Sequence, residues 1–267
     1  MRFLRRLEEP LGRVLARLGR GARRLRGLAV VALLSAVAAT GATVWRLDRR
    51  PPADLTVGAA VQVGVPQGQS IPGYVESSRA ELAALLAGPP PGEVYALVAL
   101  TAYLAPDRLT PVLGGVATVE VATRVPIPAV QTQIVRFPAF RIPEDVTGGM
   151  EEAAARKDRE AAHYADLLAK VGADKPELRA VYASGQRVAE VEAVGYRGHC
   201  SCVYAAVVRA APAALDVLAH REQVRVVDPA PEVRRLDRAV FLPPLPEQTE
   251  VARPPDDSGA APAVSSR

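Results

Sequence analysis

A chain of 267 residues, 49% apolar and only 4% aromatic, has room for one or two domains with a real core. Its net charge of +4 is unevenly placed: nine Arg against two Glu put +7 on residues 1–27, RLDRR at 46–50 adds +2, and everything after residue 50 carries −5. A phosphate-backbone binder needs clustered positive charge on its binding domain, so nucleic acid is excluded as a partner of the folded part.

The leader, residues 1–27, sets Leu4, Leu7, Leu11, Val14, Leu15 and Leu18 on one helical stripe with Arg opposite. Two readings fit: a helix lying on an anionic inner leaflet, or a positive-inside topology signal. Pro10 would divide such a helix. Leu28 to Trp45 follows as 18 residues without a charge, just enough to span a hydrocarbon core, with Trp45 at the interface. This predicts a single-pass transmembrane helix with the N-terminus cytoplasmic and the rest extracytoplasmic. The rival is a cleaved signal peptide, with Ala36-Val37-Ala38 as its cleavage site or Arg23-Arg24 as a twin-arginine signal. Both readings export residues 46–267. Small residues four apart (Ala32, Ala36, Thr40; Ser35, Ala39, Thr43) offer a seam for a homodimer in the bilayer.

Residues 46–54 read as a linker, and Val57 to Val65 alternate as a strand. "GVPQGQSIPG" is a loop whose glycine spacing, without a Lys before Ser70, rules out a phosphate cradle. Ser78 and Glu81 form a capping box that opens a helix ending at Gly88. Residues 94–122 and 203–230 then share a pattern. Each starts Val-Tyr-Ala, reaches Ala-Pro at Pro106 or Pro212, and closes on a Val-rich alternating run. The two prolines suit first helical turns, so each unit reads strand, short helix, strand. Between them, helices are expected over 148–171 and from a cap at Asp174 to about Val194. They either cover a sheet face or project as a hairpin that binds a partner. Six Pro among the last 25 residues, with no aromatic after Phe241, predict a disordered tail over 243–267.

The expected fold is therefore α+β: a transmembrane helix, then an exported ferredoxin-like ectodomain over 55–242, built from two strand-helix-strand units with an inserted helical hairpin.

Chemistry is sparse. His163 sits among charges on a helix, and His220 ends a helix where a cation suits the dipole. Glu151, Glu152, Asp158, Glu160 and Asp166 read as a solvated face, and Ser201 lacks a nucleophile-elbow frame. No catalytic residue, metal or cofactor is assigned. "RGHCSCVY" holds the only cysteines, Cys200 and Cys202, directly after His199. Placed on a strand, the two thiols share one face and His199 the other, which leaves too few ligands for a metal. Export favours a local disulfide, structural or redox-active. Because i and i+2 on a strand lie about 6.5–7 Å apart, bridging requires a bulge or turn at Ser201. An intermolecular bridge and buried free thiols remain alternatives.

"VRVVDPAPEVRRLDRAVFLPPLPEQ" and "GQSIPGYVESSRAELAALL" resemble parts of a group of actinobacterial single-pass membrane proteins of unknown function. The resemblance covers a minority of the chain. It implies an anchored envelope protein and supplies no site residue. The expected function is a non-enzymatic envelope protein whose ectodomain binds a protein or envelope component. The alternatives are an extracytoplasmic thiol-redox protein using Cys200 and Cys202, and a transmembrane sensor signalling through its leader.

Overall fold

The computed structural model describes residues 60–89, 92–255 and 257–259. The leader, the apolar segment and the linker expected over 1–54 lie outside them, as do residues 260–267 of the expected tail. Among the described residues no helix is long and apolar enough to cross a membrane.

The chain runs β1 (Val61–Gly64), α1 (Ile71–Ala87), β2 (Val94–Leu104), a 3-10 turn at Pro106–Arg108 leading into α2 (Leu109–Leu113), and β3 (Ala117–Thr123). It continues through β4 (Val135–Pro138), α3 (Glu144–Lys170), α4 (Pro176–Arg197), β5 (Val203–Ala210), α5 (Pro212–Ala219), β6 (Val224–Ala230) and β7 (Ala239–Leu242). The architecture is mixed α+β.

Five strands form one sheet in the order β4-β3-β5-β2-β6, every neighbouring pair antiparallel. Strands β2 and β3 flank β5, while β5 and β6 flank β2. The two similar units therefore interlock, each lending a strand to the middle of the other. Strands β2 and β3 run parallel without touching, as do β5 and β6, and such strands need a crossover. The segments opened by Pro106 and Pro212 supply it, with each proline in the first turn.

Both sheet faces are covered, which is why β2 and β5 read as near-continuous apolar runs. On one face Ala96, Val98, Leu100, Ala206 and Val208 pack with helical residues such as Leu109, Met150, Leu215 and Leu218. On the other, Leu97, Tyr204 and Val207 pack with Val63 of β1, Phe241 of β7 and Leu245. Strands β1 and β7 pair parallel with each other in a separate two-stranded sheet.

The inserted helices divide in character along their length. Near the sheet, Met150, Ala153, Ala154 and Tyr196 belong to the core. From 162 to 183 no residue is fully buried, and this end stands clear of the sheet. The Arg179 guanidinium holds the turn by donating to the carbonyls of Val171 at 2.8 Å and Leu168 at 3.3 Å.

Three expectations need correction. Helix α1 starts at Ile71, not after Ser78: Ser70 is its cap, accepting from the Gly73 amide at 3.3 Å. Ser78 is buried inside the helix, donating to the Tyr74 carbonyl at 2.9 Å. Helix α4 has Lys175, not Asp174, at its N-cap position, and no side chain caps it. Residues 243–255 and 257–259, assigned to a disordered tail, are packed. Leu245 and Ala252 are buried, Ser70 bridges Val251, and the Ile71 amide donates to Glu250 O at 2.9 Å. The organiser is Arg124, only 3% exposed, whose Nη1 donates to Glu247 at 2.6 Å and to the Tyr103 hydroxyl at 2.9 Å. Composition argued for disorder, but one buried guanidinium that needs a carboxylate holds the segment down.

Candidate functional site

Helix α4 ends at Arg197, and Gly198 closes it by donating its amide to Tyr196 and Val194 carbonyls. His199 then takes a left-handed conformation, φ +50°, and turns the chain. The Cys200 amide reaches back to Gly195 O at 3.1 Å. The Cys202 amide donates to Leu104 O at 3.1 Å, while its carbonyl accepts from the Arg124 amide at 2.9 Å. A bend at Ser201 separates the two cysteines, which are joined as a disulfide with Cα atoms 5.3 Å apart. The pair therefore lies in the turn before β5, not on the strand, and face alternation does not apply to it. Cys202 is fully buried in the helix-side core and Cys200 half-buried against it. The bond fixes the turn between α4 and β5.

His199 does not join the sulfurs. Its Nε2 lies 3.7 Å from Glu151 on α3. His163 is exposed on α3 beside Tyr164, and His220 caps α5 with Nδ1 2.8 Å from Asp216 O. Among the described residues no three His, Cys, Asp or Glu side chains converge as a metal-ligand set.

The helical carboxylates are more committed than a solvated face would be. Asp158 pairs with Arg197 across the two helices. Deeper in, Lys157 of α3 is 5% exposed, and its Nζ lies 2.8 Å from both Glu160 and Glu192 of α4. Glu192 is 2% exposed and also accepts from the Gln133 amide at 3.0 Å. Burial alone would lower the Lys157 pKa. Its hydrogen bonds to the two glutamates prevail and raise it, so the lysine stays charged and is no nucleophile. Sequence reasoning missed this network because its members lie 35 positions apart in the chain.

The network floors a cleft of about 600 Å³ between the helical pair and residues 130–133. Tyr164, Val181, Val188 and Asp257 line it further out. Gly185 lets the Tyr164 ring lie on α4, since a Cβ there would stand 2.8 Å from the ring. The arrangement offers an aromatic face, apolar flank and fixed polar floor, features of a preformed binding cleft.

Fold and cleft together define a class only: an interlocked α+β domain carrying a helical pair with a polar-floored groove. Comparison with protein-family models, curated proteins and solved structures finds no match to this chain.

Proposed function

We propose that the protein is a single-pass, membrane-anchored envelope protein, non-enzymatic, whose exported ferredoxin-like domain binds another protein through the cleft between α3 and α4. The anchor rests on the uncharged segment 28–45 and the arginine-rich leader before it. The ferredoxin-like reading rests on the order β3-β5-β2-β6 within the larger sheet and the interlocked units. The observation that carries binding is the helical pair itself. Its far end has no fully buried residue, and Val181, 57% exposed, lines the cleft, with Leu178, 38% exposed, one turn before it on α4. The thiol-redox alternative draws less support, because Cys202 is fully buried and its backbone is held on both sides.

The test is a photo-crosslinking amino acid placed at Val181 or Tyr164 in cells, with Glu232 as the control position. Discrete adducts from the cleft positions and none from the control are expected. Adducts equally abundant from Glu232, or none from the cleft, refute the reading.

A further inference from the structure

A second cavity lies on the opposite side of the five-stranded sheet, between β7, the proline-rich segment 243–255 and residues 131–136. Its volume is about 330 Å³, within the range of small-ligand sites. Pro243, Pro244, Pro254 and Pro255 line it with apolar rings and offer no backbone N–H donor. Ile134 and Phe241 extend that surface.

Tyr204 lines the same cavity. It is fully buried, and its hydroxyl has no hydrogen-bond partner among the described residues. The Tyr103 ring packs edge-on to it at 5.9 Å, but the Tyr103 hydroxyl is already engaged with Glu247 and Arg124. A buried hydroxyl left unpaired is costly, and burial keeps this one protonated and a donor. Among the described residues, the charged side chains lining the cavity are Arg136 and Arg253, with no carboxylate. Arg136 donates to the Phe241 carbonyl and approaches Glu120 at 3.8 Å, but Glu120 lines the neighbouring cavities rather than this one. Arg136 is also the strongest charge acting on the Tyr204 hydroxyl.

We propose that this cavity binds a small amphipathic molecule with an apolar body and an anionic oxygen head, carboxylate or phosphate. The body lies against Ile134, Phe241 and the prolines. A head oxygen accepts from the Tyr204 hydroxyl, and Arg136 and Arg253 balance the charge. The cavity shares Gln131 with the helical cleft but is otherwise lined by different residues, and the proposal does not depend on that cleft. A single ordered water on Tyr204 would satisfy the hydroxyl without any ligand, and the experiment separates the two cases.

The full chain in cell membranes is photolabelled with a diazirine-bearing sixteen-carbon fatty acid, and labelled peptides are mapped by mass spectrometry. Label is expected within residues 134–136 or 243–255. Palmitate or a lysophosphatidate should compete at least fivefold better than hexadecanol, and whichever competes better identifies the head. Inorganic phosphate competing as well as either would instead assign the site to a free anion and overturn the amphiphile. Arg253→Glu, at an exposed rim position, should reduce label here severalfold while label elsewhere is unchanged. Tyr204→Phe should do the same if its melting curve remains cooperative, and Arg253→Glu decides alone if it does not. The proposal is overturned if neither segment is labelled, if acid and alcohol compete equally, or if Arg253→Glu labels like the parent protein. A folded Tyr204→Phe that labels normally assigns its hydroxyl to water and overturns its role in the site.

Discussion

Asp228 sits on β6 opposite Leu97 and is 7% exposed. Burial is the main force on its carboxyl, pushing it up to about 6; Tyr74 and the Gly64 amide hold it down, while Glu81 and Glu232 push it further up. In an unfolded chain the same group titrates near 3.9. Between about pH 4 and pH 6 the folded protein therefore holds a proton that the unfolded chain has lost. This group favours folding most below pH 4, and its contribution falls as pH rises through 6. A shift of two pKa units at about 1.4 kcal/mol each sets the cost of the ionised form near neutrality at about 3 kcal/mol. Asparagine has nearly the same shape and carries no charge. Asp228→Asn is expected to stabilise the protein by about 2–3 kcal/mol at pH 7.5, raising the melting temperature by roughly 5–10 °C for a domain of this size. The gain should shrink toward zero at pH 4. The assay is thermal unfolding by circular dichroism, parent against variant, at pH 4, 5, 6 and 7.5. A gain that does not change with pH, or a loss at pH 7.5, would refute the reasoning. Either result would mean that the carboxylate's contacts outweigh its burial.

Lys157→Met should cost about 3–5 kcal/mol in urea unfolding, because it strands Glu192 in the interior. The double variant Lys157→Met/Glu192→Met should recover most of that, and failure to recover would mean the pair is not the cause. Without reductant, Cys200 and Cys202 should resist alkylation by intact mass. Replacing both with Ala opens a three-residue loop and should cost only about 1.5 kcal/mol by chain entropy. Gly149→Ala sets a Cβ 2.6 Å from Cγ of buried Phe137 and should cost about 1–3 kcal/mol, read as a lower urea midpoint.

The parts of the fold that announced themselves were those in which local and tertiary preferences agree. In both interlocked units an apolar run long enough for a central strand leads to a proline fit for a first helical turn, and the structure places Pro106 and Pro212 there. The start of α1 departs from its expectation because Ser78 and Glu81 make a better local cap than Ser70. The wider structure seats Ser70 instead, where Val251 bridges it. Strands β4 and β7 are four residues each, too short for a period to show. The order of 243–255 is invisible to composition, since it comes from Glu247 meeting an arginine 123 positions earlier. Of the candidate site, the cysteine bridge was legible as chemistry but not as position, because the left-handed turn at His199 delays the strand by a few residues. The cleft and the Tyr204 cavity left no mark at all, being made by residues far apart in sequence.

Strands β1 and β7 have a mechanical consequence. They are the first and last strands described, and they lie parallel, with Val61 beside Ala239 and Gly64 beside Leu242. A load entering through residue 60 and leaving beyond Leu242 pulls the two strands past each other lengthwise. Their hydrogen bonds then bear the force together rather than opening one at a time from an end. The contacts of 243–259 would yield first and spool out a short length of chain, after which the strand pair would resist as a clasp in shear. A load applied between the two ends of the described segment would therefore meet the strand pair in its strongest geometry.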